Sequence, residues 1–179
     1  GADQCRSLHM AVTSGIHAGR MAAHYCASLA SAPEPDEAQI QRIHERVYAP
    51  LDPERSIGWK EFEMTLQRIL TEGAGPCRTE KKLLRAKEKL EQVQAASGLV
   101  GAKDLHDLLR LHEVHHLLTI GRCTVDAALY RQESRFGNCH FREDFPEQDD
   151  ERFLGQVVIS AESDGRLKLE LRRTDNPYA

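Results

Sequence analysis

Residues His112-Glu113-Val114-His115-His116 satisfy H-E-x-x-H. On a helix, histidines at i and i+4 share one face and can hold zinc, while the glutamate activates the metal-bound water for hydrolysis. A catalytic zinc also needs a third protein ligand. The extended motif asks for glycine at position 119 and histidine at position 122, where the chain has Thr119 and Arg122. The nearest downstream glutamate, Glu133, sits about 17 residues further along the same expected helix, roughly 25 Å away and out of reach of one ion. Glu113 and His116 also form a Glu-x-x-His, but a di-iron site takes a second such pair from another helix, and the sequence has none. His112 and His116 therefore read as amphipathic side chains at the edge of a helix–helix contact. No metal ligand and no catalytic residue is expected in this chain.

Two other stretches carry more. The segment Ala11-Val12-Thr13-Ser14-Gly15-Ile16-His17-Ala18-Gly19-Arg20 is built of small residues. At a helix start such residues let a ligand approach the backbone, and the free N–H groups and helix dipole suit a phosphate. A glycine-containing helix packed against a sheet accounts for the same residues equally well. The second stretch is Arg131-Gln132-Glu133-Ser134-Arg135, running on through His140, Arg142, Glu143, Asp144, Phe145 and Pro146 to Asp149 and Asp150. Mixed charges this dense in a loop leaving a buried helix predict an ion-pair network. The interleaved Phe136, Phe141 and Phe145 predict that the loop is docked rather than solvated.

The elements that must position these residues are mostly helices. The first is expected to start near Thr13 or Ser14 and to break at Ser31-Ala32-Pro33-Glu34-Pro35. Asp36 opens a second, with Gln39 three residues on as in a capping box. Ile40, Ile43 and Val47 mark its expected buried face, and Pro50 and Pro53 end it. A third covers 57–72, with Trp59, Phe62, Leu66, Ile69 and Leu70 at helical spacing, stopped by Gly73-Ala74-Gly75-Pro76. A fourth, highly charged, covers 79–97 with Leu83, Ala86, Leu90 and Val93 on one side. The longest covers 103–134. It carries one apolar line through Leu111, Val114, Leu118, Val125 and Leu129, and another through Leu105, Leu108, Leu109, Ile120 and Cys123. A helix apolar on two sides is expected inside a bundle. Phe153–Ala161 and Arg166–Arg172 alternate with period two around Ser163-Asp164-Gly165, a hairpin signal.

Composition narrows the class. The chain has 179 residues, 40% hydrophobic and 29% charged, with net charge −4, which gives no electrostatic reason to expect nucleic acid. No run of about 18 apolar residues exists to span a membrane. The five cysteines are odd in number and form no C-x-x-C, as expected of reduced thiols rather than a disulfide frame.

Taken in order, these stretches resemble the fumarate reductase/succinate dehydrogenase flavoprotein family, most of all its adenylylsulfate-reductase-like branch. The Gly1-Ala2 start and the small-residue segment ending Gly19-Arg20 are similar to the family's last FAD-contacting segment. Cys77-Arg78-Thr79-Glu80 is similar to the "R-T-E" entry of a helix in its C-terminal domain. Leu117-Leu118-Thr119, Glu133-Ser134-Arg135 and Arg142 to Asp150 are similar to its "L-T … E-S-R … R-x-D-[FY]-P-x-x-D-D" series. The resemblance spans essentially the whole chain.

It implies a mainly α fold: a helical bundle with a small C-terminal β-hairpin and an N-terminal helix left from an FAD-binding domain. Residues 1–32 would be the tail of that domain, 36–145 the helical bundle domain and 146–179 the hairpin tail. The family's nucleotide-binding fold and capping domain are not in this sequence. The implied function is the C-terminal part of an FAD-dependent oxidoreductase, inert alone. Val12, Thr13 and Ser14 correspond to the family's flavin-contacting residues. The implied partners are the N-terminal FAD-binding and capping domains and an iron–sulfur electron-transfer subunit, in the cytoplasm, with membrane association only through partner subunits. One departure stands out. Succinate and fumarate enzymes carry G-A-N-R, whose arginine grips a substrate carboxylate; this chain has Gly1-Ala2-Asp3-Gln4, with Arg6 out of register. Gln4 makes no charge-assisted bidentate contact, so succinate or fumarate does not carry over as substrate. The alternative is a free-standing helical protein-interaction module, with a zinc metallohydrolase a distant third.

Overall fold

The computed structural model of the chain describes residues 3–52, 54–55, 57–135, 140–162 and 166–173, with side chains from residue 8 onward. It divides into two compact units, Gly1–His44 and Glu45–Ala179.

The first unit holds α1 (Asp3–Ser28) and most of α2 (Glu37–Tyr48). Helix α1 begins about ten residues before the expected start. No proline interrupts residues 3–14, and Ser14 is accommodated mid-helix by donating its Oγ–H to the Ala11 carbonyl, 3.3 Å, a local bond open to serine inside helices. Helix α2 is capped as expected, the Gln39 N–H donating to Asp36 Oδ1 at 3.0 Å. Its expected buried face is not buried: Ile40 and Ile43 are exposed and Val47 is half-buried. Periodicity located the apolar face but not its burial.

The second unit is built on three helices, α3 (Trp59–Ala74), α4 (Glu80–Ala96) and α5 (Leu105–Tyr130). Phe62, Leu66 and Ile69 of α3, Leu83, Ala86 and Leu90 of α4, and Leu111, Val114, Leu118 and Val125 of α5 form one core. Each fully buried leucine contributes about 1.5–3 kcal/mol relative to exposure. Helices α3 and α4 close tightly at Gly73, where a Cβ would lie 2.4 Å from Ala86 Cβ. Gly73→Ala is therefore expected to destabilise this unit by about 1–3 kcal/mol, despite alanine's better helix propensity; chemical denaturation reads the loss.

Only one of the two apolar lines on α5 is buried. Leu105, Leu109 and Ile120 of the other line are 65%, 59% and 60% exposed, and Leu108 alone is buried. The helix is also shorter than expected, 26 residues or about 39 Å. It ends at Tyr130, placing Glu133-Ser134-Arg135 in the following loop. Here Arg131 turns to extended backbone, φ −86° and ψ 98°, its N–H still donating to the Ala127 carbonyl.

Short strand pairs tie the connections. β1 (Ile57–Gly58) runs parallel to β3 (Val100–Gly101), and β2 (Cys77–Arg78) runs parallel to β4 (Phe141–Arg142). After the single-turn helix α6 (Asp150–Phe153), β5 (Gly155–Ala161) and β6 (Leu167–Arg173) pair antiparallel from Gly155↔Arg173 to Ala161↔Leu167. This is the expected hairpin; its turn, Ser163-Asp164-Gly165, lies outside the described residues, as do Phe136, Gly137, Asn138 and Cys139. The observed class is a helical domain with a C-terminal hairpin. Among the described residues no helix is long and apolar enough to cross a membrane.

Candidate functional site

Among the described residues, the charged series that follows α5 is densely hydrogen-bonded. Glu133 and Arg142 are both fully buried. Glu133 Oε1 and Oε2 accept from Arg135 Nε and Nη2 at 2.8 and 2.9 Å, and Arg131 Nη1 also donates to Oε1. The Asp149 N–H completes the set, 2.7 Å from Oε2. Burial pushes the Glu133 carboxyl up, but the bonds from Arg135, the Asp149 N–H and Arg131 outweigh it and hold it below its ordinary value. Bonds from the carboxylates of Glu133 and then Asp150 raise Arg135 in turn, against the opposing pull of burial. Arg131 reaches on to the carbonyls of Phe153 and Gly155, 2.9 and 2.7 Å, and fixes the start of the hairpin.

Arg142 makes the second half. Its Nε and Nη2 grip Asp144 as a fork, 2.8 Å to each oxygen. Its Nη1 donates to the Ala128 carbonyl at 2.6 Å, satisfying one of the carbonyls a helix end leaves open. The Arg142 bonds, helped by the Glu80 N–H, hold Asp144 down at about 2 against burial. A depressed carboxyl stabilises the fold fully above its ordinary range and loses that contribution as pH falls through its folded value. Asp144→Asn is thus expected to cost about 2 kcal/mol at neutral pH. The gap to the parent should close between about pH 4 and 2, read from unfolding midpoints across pH.

Segments distant in sequence meet here. The Glu80 N–H donates to Asp144 Oδ2 at 2.6 Å, and the Glu143 N–H to the Arg78 carbonyl at 2.9 Å. Thr79 caps α4, accepting from the Lys82 N–H. The "R-T-E" and "R-x-D" stretches therefore form one junction with "E-S-R". The expected ion-pair network is present. Sequence reasoning missed that Arg78 joins it, through His140 Nδ1 at 3.1 Å; only the register Arg78↔Arg142 reveals this. Chemically the junction is a clamp. Its carboxylates are held ionised by arginine, so neither Glu133 nor Asp144 is poised for proton transfer near neutral pH.

The other candidates stand elsewhere. Val12, Thr13 and Ser14 lie inside α1 and are exposed, so the helix-terminus rationale for a phosphate does not hold at these positions. His112 Nε2 pairs with the Val47 carbonyl at 2.9 Å, and His116 is exposed. His115 packs edge-on to Phe62, ring centroids 5.7 Å apart, and burial, then His112 and His116, lower its basicity. Among the described residues no group of three or more His, Cys, Asp or Glu is placed to hold a metal ion. Cys26, Cys77 and Cys123 are free thiols.

Fold and junction together define a helical domain closed by an arginine–carboxylate clamp and a terminal hairpin. Residues 63–177 match the fumarate reductase flavoprotein C-terminal family, and the chain belongs to that family, one of FAD-dependent oxidoreductases. It is 33% identical over 145 residues to L-aspartate oxidase of Streptomyces coelicolor, covering 75% of this chain and 24% of that protein. It is 28% identical over 174 residues to a fumarate reductase flavoprotein subunit of Mycobacterium tuberculosis, covering 91% and 30%. A solved quinol–fumarate reductase superposes with TM-score 0.76 at 28% identity, covering 90% of this chain and 30% of that one. Adenylylsulfate reductase from Archaeoglobus fulgidus, at TM-score 0.80 and 24% identity over 89% of this chain and 28% of that one, shares the fold. The chain spans about a quarter to a third of the length of these curated relatives.

Proposed function

We propose that the chain serves as the C-terminal part of an FAD-dependent oxidoreductase, packing against flavin-binding and capping domains and catalytically inert alone. The observation that carries this reading is the open apolar line on α5, Leu105, Leu109 and Ile120, on a helix whose opposite side fills the core. A soluble domain covers such a line with another protein surface, and the family supplies one. In this reading residues 1–32 complete the flavin domain, 36–145 form the helical domain and 146–179 the hairpin tail.

FAD would be held mostly by the domains preceding this segment. Val12, Thr13 and Ser14 fit side-chain contact with it rather than a phosphate at a helix end. A Cβ at Gly15 or Gly19 would meet nothing within 4 Å, so a partner can approach the α1 backbone. FAD supplies two-electron redox chemistry; this chain's residues position and shield it. An iron–sulfur subunit is the proposed electron partner, in the cytoplasm or at a membrane through other subunits. The Gly1-Ala2-Asp3-Gln4 start favours a substrate other than succinate or fumarate.

The test is association. Replacing Leu105, Leu109 and Ile120 with serine is expected to leave the chain's own unfolding midpoint nearly unchanged, because these residues face solvent. It is expected to abolish co-purification with separately expressed FAD-binding and capping domains. Undiminished co-purification would remove the basis for the reading.

A further inference from the structure

We propose that His140 is a pH-sensitive latch: as a neutral imidazole with its proton on Nε2 it ties the strand entering α4 to the exit of α5, and as an imidazolium it releases that tie. The tautomer follows from its partners. Arg78 Nη1 lies 3.1 Å from Nδ1, and a guanidinium only donates, so Nδ1 accepts and carries no proton. The Arg131 carbonyl lies 3.2 Å from Nε2, and a carbonyl only accepts, so Nε2–H donates. The backbone bridge Arg135↔His140 and the parallel register Arg78↔Arg142 hold the ring in this slot.

A second proton would sit on Nδ1 and face the Arg78 N–H, donor against donor and charge against charge. Among the described residues, the charged groups acting on the ring are Arg78 from β2, Arg142 from β4 and Arg131 from the α5 exit, with Arg135 lining the same cleft. The carboxylates of the junction are already engaged: Glu133 by Arg131 and Arg135, Asp144 by Arg142, Asp150 by Arg135. Burial first, then Arg78, Arg131 and Arg142, hold His140 below its ordinary value, against the Arg131 carbonyl bond. All three carboxylates are held low and keep their charge. A histidine depressed in the fold stabilises it above about pH 6.5 and withdraws that contribution as pH falls. As pH falls below the ordinary histidine range, His140 is therefore the junction group that gains charge. The latch borders a cleft of about 600 Å³ lined also by Arg78, Arg131, Val157 and Val158, whose wall it would loosen.

Nitrogen-15 NMR of the histidine rings on the intact chain reads the tautomer directly. The expected result is an Nε2–H neutral ring with a titration midpoint below about 6.5. The Glu143 amide, which donates to the Arg78 carbonyl, reports the tie. Its hydrogen-exchange protection is expected to fall about tenfold per pH unit once the ring begins to charge. In His140→Gln, whose amide can accept from Arg78 and donate to Arg131 without titrating, protection should stay flat. An Nδ1–H tautomer, a midpoint at or above 6.5, or the same acid loss in His140→Gln would overturn the proposal. The wild-type ring spectrum decides it even if the variant does not fold.

Discussion

Glu133→Gln is expected to lower the unfolding free energy of the Glu45–Ala179 unit by about 3–5 kcal/mol. The glutamine keeps the shape but removes the charge that Arg131 and Arg135 share, leaving two guanidiniums, both mostly buried, with half their compensation. Removing one partner of a buried pair costs far more than the pair's net worth, because the remaining charge stays desolvated. It also weakens the acceptor for the Asp149 N–H, at the start of α6. Urea denaturation of the two proteins reads the difference. An exposed pair supplies the scale: Glu162→Gln removes a carboxylate from the solvent-facing contact with Arg166 and is expected to change stability by less than about 1 kcal/mol.

Arg142→Ala is the second large effect, again about 3–5 kcal/mol. It removes the guanidinium from Asp144, which keeps the Glu80 N–H, and reopens the Ala128 carbonyl at the end of α5. The informative companion is Arg142→Lys. Lysine restores a charge but not the planar fork that meets both Asp144 oxygens while a third N–H reaches Ala128. It is therefore expected to leave about 2 kcal/mol of the loss in place. Full recovery by lysine would mean that charge alone, not geometry, holds this end of the helix.

The parts legible in the sequence were those governed by local rules. Apolar spacing located α3, α4 and the inner line of α5, and the core residues Phe62, Leu83 and Leu111 are where that spacing put them. Asp36–Gln39 and the two alternating strands were readable for the same reason. The charge density around Glu133 and Arg142 announced a network, but not its pairing. Arg131, Arg135 and Arg142 each had several carboxylates within reach along the chain, and only the folded register assigns Glu133 to the first two and Asp144 to the third. Arg78 could be placed at a helix entry but not paired, because it lies about sixty residues from His140 and arrives through strand pairing. Periodicity failed differently on α2 and the outer side of α5. It reports which face is apolar, not what covers it, so Ile43 and Ile120 looked like core and are open. The start of α1 was missed because residues 3–12 carry no break and no strong cap, leaving the small residues to be mistaken for a beginning.

In the proposed role the chain borders a flavin site that it does not form by itself. The direct measurement is the visible absorbance of the purified chain after incubation with FAD and removal of free flavin. No stoichiometric flavin band is expected on the isolated chain, and a full band is expected when the chain is joined to the nucleotide-binding and capping domains. One FAD retained per isolated chain would contradict it.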